Sequence, residues 1–159
     1  MKMNNKSIDI FAETNPALCS LIIFHFCNGY AKKNKSGVPF PLIIIVLPII
    51  LSNDLSSSFD NTSVRTGFFG WIEKTPSIIL NISDRINDSN EFIKPAIEYG
   101  LFKNIFAINE EGNLNSVKKS IKNKKYNFDH LFKCSERLGG WMGEVNSVKT
   151  IYNHLAIQI

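Results

Sequence analysis

Several absences narrow what this chain can be. Its three cysteines, Cys19, Cys27 and Cys134, are an odd number and form no Cys-x-x-Cys pair. A disulfide framework and a structural zinc site therefore both lack support. Neither GxxxxGK[ST] nor GxGxxG occurs, so the chain does not hold a nucleotide through those loops, and where ATP matters another protein binds it. The histidines, His25, His130 and His154, lie in separate segments without a Ser or Cys motif around them, which leaves nucleophilic catalysis unsupported. No run is long enough to span a bilayer. The longest, Val38–Leu51, has fourteen residues without a polar side chain, short of the roughly 18–20 that a membrane helix needs. Prolines at 39, 41 and 48 interrupt it. It starts too far from the N-terminus, and lacks the basic n-region and cleavage site, to be a signal peptide. The expectation is a cytoplasmic protein with no enzymatic activity, metal or cofactor.

What is present is globular: 44% hydrophobic and 20% charged residues over 159 positions, enough for one compact unit with a real core. Ile, Asn and Lys number 22, 18 and 15, against a single Gln. That skew suggests an AT-rich coding sequence and lowers the weight of any single Lys or Asn. Charge is uneven. Residues 1–100 carry nine basic and nine acidic groups, whereas 101–159 carry nine basic and five acidic, a net +4. An anionic partner would look first at that C-terminal third.

The pattern predicts a mainly α fold with a small β-hairpin, a helical bundle incorporating a winged-helix-like unit. Residues 1–14 read as a loose arm and 15–159 as one unit, with an apolar helical part (15–63), a winged-helix-like part (64–125) and C-terminal helices (126–159). Asn15-Pro16 reads as an N-cap followed by proline at the first helical position. The helix it opens is apolar nearly all round, with only Ser20 and His25 polar between Ala17 and Cys27. A second helix from about Pro41 should be kinked or broken at Pro48. Thr62 or Ser63 caps a helix over 64–74, Thr75-Pro76 restarts one through Ile78, Ile82 and Ile86, and Asn90–Tyr99 forms a short third closed by Gly100. Ile105–Ile108 and Leu114–Val117 around a Gly-containing loop predict a hairpin. Three helices and a hairpin over 64–117 is the element order of a winged helix. Further helices are expected over about 128–141 and, capped by Ser147, at the end.

One ordered string of residues carries a resemblance. It comprises Asn15-Pro16-Ala17, Phe24 and Phe26 leading to Gly29-Tyr30, Gly37-Val38-Pro39-Phe40-Pro41-Leu42, and Leu47 to Leu51. It continues through Thr66 to Trp71, Ser135-Glu136-Arg137-Leu138-Gly139-Gly140-Trp141-Met142 and Ile151 to Leu155. This string resembles the middle component of bacterial three-component ABC ATPase (ABC-3C) systems over about residues 15–157. The resemblance implies a non-catalytic bridging subunit acting with a soluble SMC- or Rad50-like ABC ATPase and a third component, in bacterial conflict or anti-phage defence. It leaves open a homodimer and DNA contact through the complex. Many relatives carry Arg after Leu-Gly where this chain has Gly140, so no role of that arginine transfers. The alternative reading is a stand-alone winged-helix DNA-binding transcriptional regulator. A weaker one is a peripheral membrane protein using 38–51.

Two sets of residues are candidate contacts. The adjoining apolar segments exceed what one small core easily surrounds, which points to partial burial by a partner, with Phe24, Phe26, Phe40 and Leu47 in or beside the interface. Lys118, Lys119, Lys122, Lys124 and Lys125 form a run suited to sequence-independent phosphate contact. A solvated loop would look the same, and Glu110-Glu111 at the hairpin tip would repel phosphates. Asp84 and Asp88, like Glu110-Glu111, read as solvated surface rather than acid–base pairs. Cys19 and Cys27 read as small core hydrophobes, and His25 as a satisfied core or interface histidine.

Overall fold

The computed structural model describes residues 15–52, 55, 57–80, 82–117, 121 and 128–158. The expected N-terminal arm and the five lysines of the 118–125 run lie outside them. The described chain is mainly helical. Helices Pro16–Ala31 (α1), Phe40–Ile50 (α2), Gly67–Lys74 (α3) and Ile82–Phe102 (α4) precede a hairpin of Phe106–Ile108 (β1) and Leu114–Ser116 (β2). Asp129–Val145 (α5) and Val148–His154 (α6) complete it, and 3-10 turns lie at Ser57–Phe59, Val64–Thr66 and Pro76–Ile79.

α1 starts as its sequence dictates. The Asn15 side chain accepts from the Ala17 and Leu18 amides at 3.0 and 3.2 Å, satisfying donors that the first turn otherwise leaves unpaired. Having almost no polar face, the helix takes the centre of the molecule. It lies chiefly against α5, then against α4 and α2. α2 is buried along most of its length, and its apolar surface forms one continuous core with that of α1, α4 and α5. Each such side chain removed from water contributes about 1.5–3 kcal/mol, so these two greasy helices supply much of the driving force for folding.

Three local readings change in the structure. α2 runs unbroken through Pro48. Proline removes one bond from the ladder, but the Leu51 amide still donates to the Leu47 carbonyl at 2.9 Å, and packing on all sides holds the helix together. The segment after Thr75-Pro76 is only a 3-10 turn ending in an extended Leu80. The helices expected to either side of Asp88 are one helix, α4, of 21 residues with Pro95 inside it. Glu91, whose carbonyl loses its partner to Pro95, is exposed like the proline itself, in a setting where solvent is able to serve the freed acceptor. Between 64 and 117 the three helices of the sequence reading are thus two, joined by a 3-10 turn.

The hairpin forms in the expected place, antiparallel, with Phe106 opposite Ser116 and Ile108 opposite Leu114. It is stitched to the rest from its far edge. Val38 and Leu114 exchange amide-to-carbonyl bonds, each of 2.9 Å, so the residue just before Pro39 acts as a third, one-residue strand.

Candidate functional site

α1 and α5 cross in close contact, and glycine makes it possible. A methyl on Gly29 would collide with the Glu136 carbonyl, and one on Gly139 with the Phe26 carbonyl. One on Gly143 would stand 2.8 Å from the Tyr30 carbonyl oxygen. Backbone therefore lies directly on backbone at three successive points, which only a missing Cβ permits. Ser135 locks the pair by donating its hydroxyl to the Ile22 carbonyl at 2.6 Å. The two segments Gly29-Tyr30 and Ser135–Met142 of the ordered string meet here, more than a hundred residues apart in sequence.

Above the crossing opens a cleft of about 190 Å³ lined by Gly29, Lys32, Lys33, Val64, Lys133, Glu136, Arg137 and Gly140. Four cations face one carboxylate. Lys32 binds Glu136 directly, and the His25 ring nitrogen stands 3.9 Å from the same carboxylate. Lys33 and Lys133 have no acidic partner among the described residues. Arg137 is half-buried and anchored: its Nη1 donates to the Phe59 carbonyl at 3.3 Å and the Thr62 hydroxyl at 3.0 Å. The loop it holds is fixed from beneath by aromatics. Phe59, Trp71 and Trp141 form a triangle of ring contacts, with centroids 5.3, 5.9 and 5.8 Å apart. The Trp71 indole donates to Ser58 at 3.0 Å and that of Trp141 to the Ser63 and Val64 carbonyls at 3.2 Å. The cationic rim therefore stands on a rigid base.

The residues singled out from sequence fall in several places. Phe24, Phe26 and Leu47 are buried inside the chain itself, at 0, 0 and 1% exposure, so their side chains have no free surface to offer. Phe40, at the start of α2, is partly exposed. Cys19 and Cys27 are core side chains, as read, and burial pushes the Cys27 thiol up to about 12. Cys134 is also buried, which raises it to about 11. Thiols so far from ionising at neutral pH are poor nucleophiles. His25 stacks on Phe132 at 4.5 Å. Burial lowers its pKa from the ordinary value, opposed by the charges of Glu136 and Asp129. Asp84 and Asp88 lie one turn apart on α4, both exposed, and Glu110 and Glu111 are exposed at the hairpin tip. No group of three His, Cys, Asp or Glu among the described residues could hold a metal. No helix among them is long and apolar enough to cross a membrane.

The cleft itself went unread. Arg137 and Glu136 stand in the ordered string, but nothing local announces that Lys33, Val64 and Lys133 converge on them. The Gly37–Leu42 segment also proves to be a joint. Gly37, at φ +84°, adopts a conformation that only glycine takes freely, and delivers Val38 to the hairpin. Asn109 and Asn113 both donate to the Ser36 carbonyl, at 2.9 and 3.0 Å, and the Tyr152 hydroxyl of α6 donates to the Pro41 carbonyl. Much of the string that carries the resemblance thus serves internal joints.

A search of curated proteins found no match, and no solved structure matches either. One protein family does match, over residues 3–159. With nearly its whole length covered, the chain belongs to the ABC-three component (ABC-3C) system Middle Component 3 family.

Proposed function

We propose that the protein is a non-catalytic bridging subunit that joins a soluble SMC- or Rad50-like ABC ATPase to a third component, in the cytoplasm, as part of a bacterial conflict or anti-phage defence system. The observation that carries this reading is the family match along residues 3–159, since a middle component implies other components to bind. The build of the chain supports it. A subunit that transmits position between two partners must be stiff, and the glycine-mediated α1–α5 contact and the stitched hairpin make it so. On its surface Phe102, Leu80, Val64 and Val117 are exposed by 56–81%, apolar area of the kind that interfaces cover.

Co-expression of the tagged chain with the ABC ATPase and the third component encoded beside it, followed by affinity purification, is expected to return all three. Recovery of the chain alone would overturn the bridging role. Of the four aromatic and aliphatic candidates, Phe40 is the one proposed to touch a partner directly. Phe40→Asp should release the partner while the chain stays folded, whereas Phe24, Phe26 and Leu47 act through the core. Lys118, Lys119, Lys122, Lys124 and Lys125 are proposed as phosphate contacts of the assembled complex. Replacing all five by alanine should reduce the slope of log affinity for DNA against log salt by up to roughly 4–5, about 0.9 per lost contact. An unchanged slope would remove them from the interface.

A further inference from the structure

We infer that the cleft over the α1–α5 crossing is a docking site for an acidic protein segment, one whose carboxylate side chain enters between Arg137, Lys33 and Lys133. That the segment belongs to another component of the system rests on the bridging role above; the chemistry of the cleft does not.

Charge is the first argument. Glu136 is already taken by Lys32, so the cleft keeps three cations, Lys33, Lys133 and Arg137, without an ion-pair partner among the described residues. Preorganisation is the second. Arg137 uses one nitrogen to hold Phe59 and Thr62, leaving the other N–H groups of the guanidinium to donate. A guanidinium already immobilised by its own loop loses little freedom when a carboxylate arrives, and its fork matches that ligand with two parallel bonds. Shape is the third. Gly29 and Gly140 leave the floor bare, while Val64, 59% exposed, supplies an apolar wall for the neighbouring residue of a peptide. A cleft of about 190 Å³ takes one acidic side chain and its flanking backbone. A rigid duplex, whose phosphates lie on a convex cylinder, does not follow a surface inward. The occupant the geometry favours is therefore peptide, not nucleic acid.

Gly140 allows a test that leaves every charge in place. A Cβ there meets only the Gly29 carbonyl oxygen, at 3.6 Å, an ordinary contact, so Gly140→Leu starts its side chain without a clash and extends it over the floor of the cleft, with urea unfolding of the variant checking that the helices stay together. The purified chain is titrated into a fluorescein-labelled octaglutamate peptide and, separately, into a labelled random-sequence DNA duplex, with anisotropy as the readout. The peptide is expected to bind the wild type in a salt-sensitive manner. Its affinity should fall about tenfold or more in Lys33→Glu/Lys133→Glu and in Gly140→Leu, with duplex affinity unchanged by Gly140→Leu. Failure of the wild type to bind the peptide, or undiminished binding by both variants, overturns the proposal. So does a parallel loss of duplex binding in Gly140→Leu, which would assign the cleft to phosphate. Co-purification with the ATPase reads the bridging role independently. A chain that assembles but whose peptide binding ignores the cleft loses this proposal alone, and the converse result removes only the bridging role.

Discussion

A Cβ on Gly139 would run into the Phe26 carbonyl, and the consequence of adding one methyl there is calculable in sign. The neighbour is backbone of a central helix, which cannot rotate away, so α1 and α5 must separate and the core around them loosens. Gly139→Ala should destabilise the chain by about 3 kcal/mol or prevent folding, at the upper end of what overpacking costs. Gly70, in α3, offers the contrast. A methyl there meets only the Thr66 methyl at 3.5 Å, an ordinary contact, and alanine is the better helix former. Gly70→Ala should therefore stabilise by about 0.5–1 kcal/mol. Urea unfolding of the two variants checks both signs, and equal effects would mean that helix propensity, not the crossing, governs these positions.

The hairpin shows how elements too short to stand alone are held. Two strands of three residues are not independently stable, yet here the pair is fastened to the turn before α2. Asn109 is the fastener. Its Nδ2 donates to the Ser36 carbonyl at 2.9 Å, and its Oδ1 accepts from the Glu111 and Asn113 amides, each at 3.0 Å. Asn109→Ala removes three bonds at once from a partly exposed site and should cost about 1.5–3 kcal/mol, at roughly 0.5–1 each after solvent takes their place. The loss should be local. Amide exchange at Val38 and Leu114 is expected to speed up well before exchange in α1, and uniform acceleration would show instead that the hairpin and core unfold together.

Across the whole molecule, stability should depend on pH through His25, which sits on the central helix between Phe24 and Phe132. Burial lowers its folded pKa below the unfolded value of 6.5, against the opposing pull of Glu136 and Asp129. The sign follows from proton counting. As pH falls below 6.5 the unfolded chain takes up a proton that the folded chain resists, so stability declines until the folded pKa is also passed. Well above 6.5, where both states are deprotonated, the histidine contributes no slope. His25→Phe should flatten the decline seen in unfolding measurements between neutral and mildly acidic pH. A slope that persists in the variant would place its origin in the carboxylates.

Much of the framework was legible locally. The Asn15-Pro16 start, the all-apolar α1 and α2, the hairpin about Gly112 and the Ser147 cap of α6 depend on contacts within a few residues, and capping, periodicity and turn chemistry report such contacts directly. The ordered string sufficed to reach the family, because its residues stand at fixed points along the chain. What sequence alone could not decide was where each element would find its neighbour. Pro48 reads as a kink or break and Asp88 as a boundary between two helices, but neither helix ends there, since packing around α2 and the solvent exposure of Glu91 compensate for the bond that Pro48 and Pro95 each remove. Phe24, Phe26 and Leu47 read as excess apolar surface until α5 and α4 were folded over them. The basic cleft exists only because glycines at 29 and 139 let two helices touch, bringing Lys33 beside residues a hundred positions away. Local signals determine which segments are helix or strand; a surface made by two helices meeting belongs to neither sequence segment, and only the folded chain creates it.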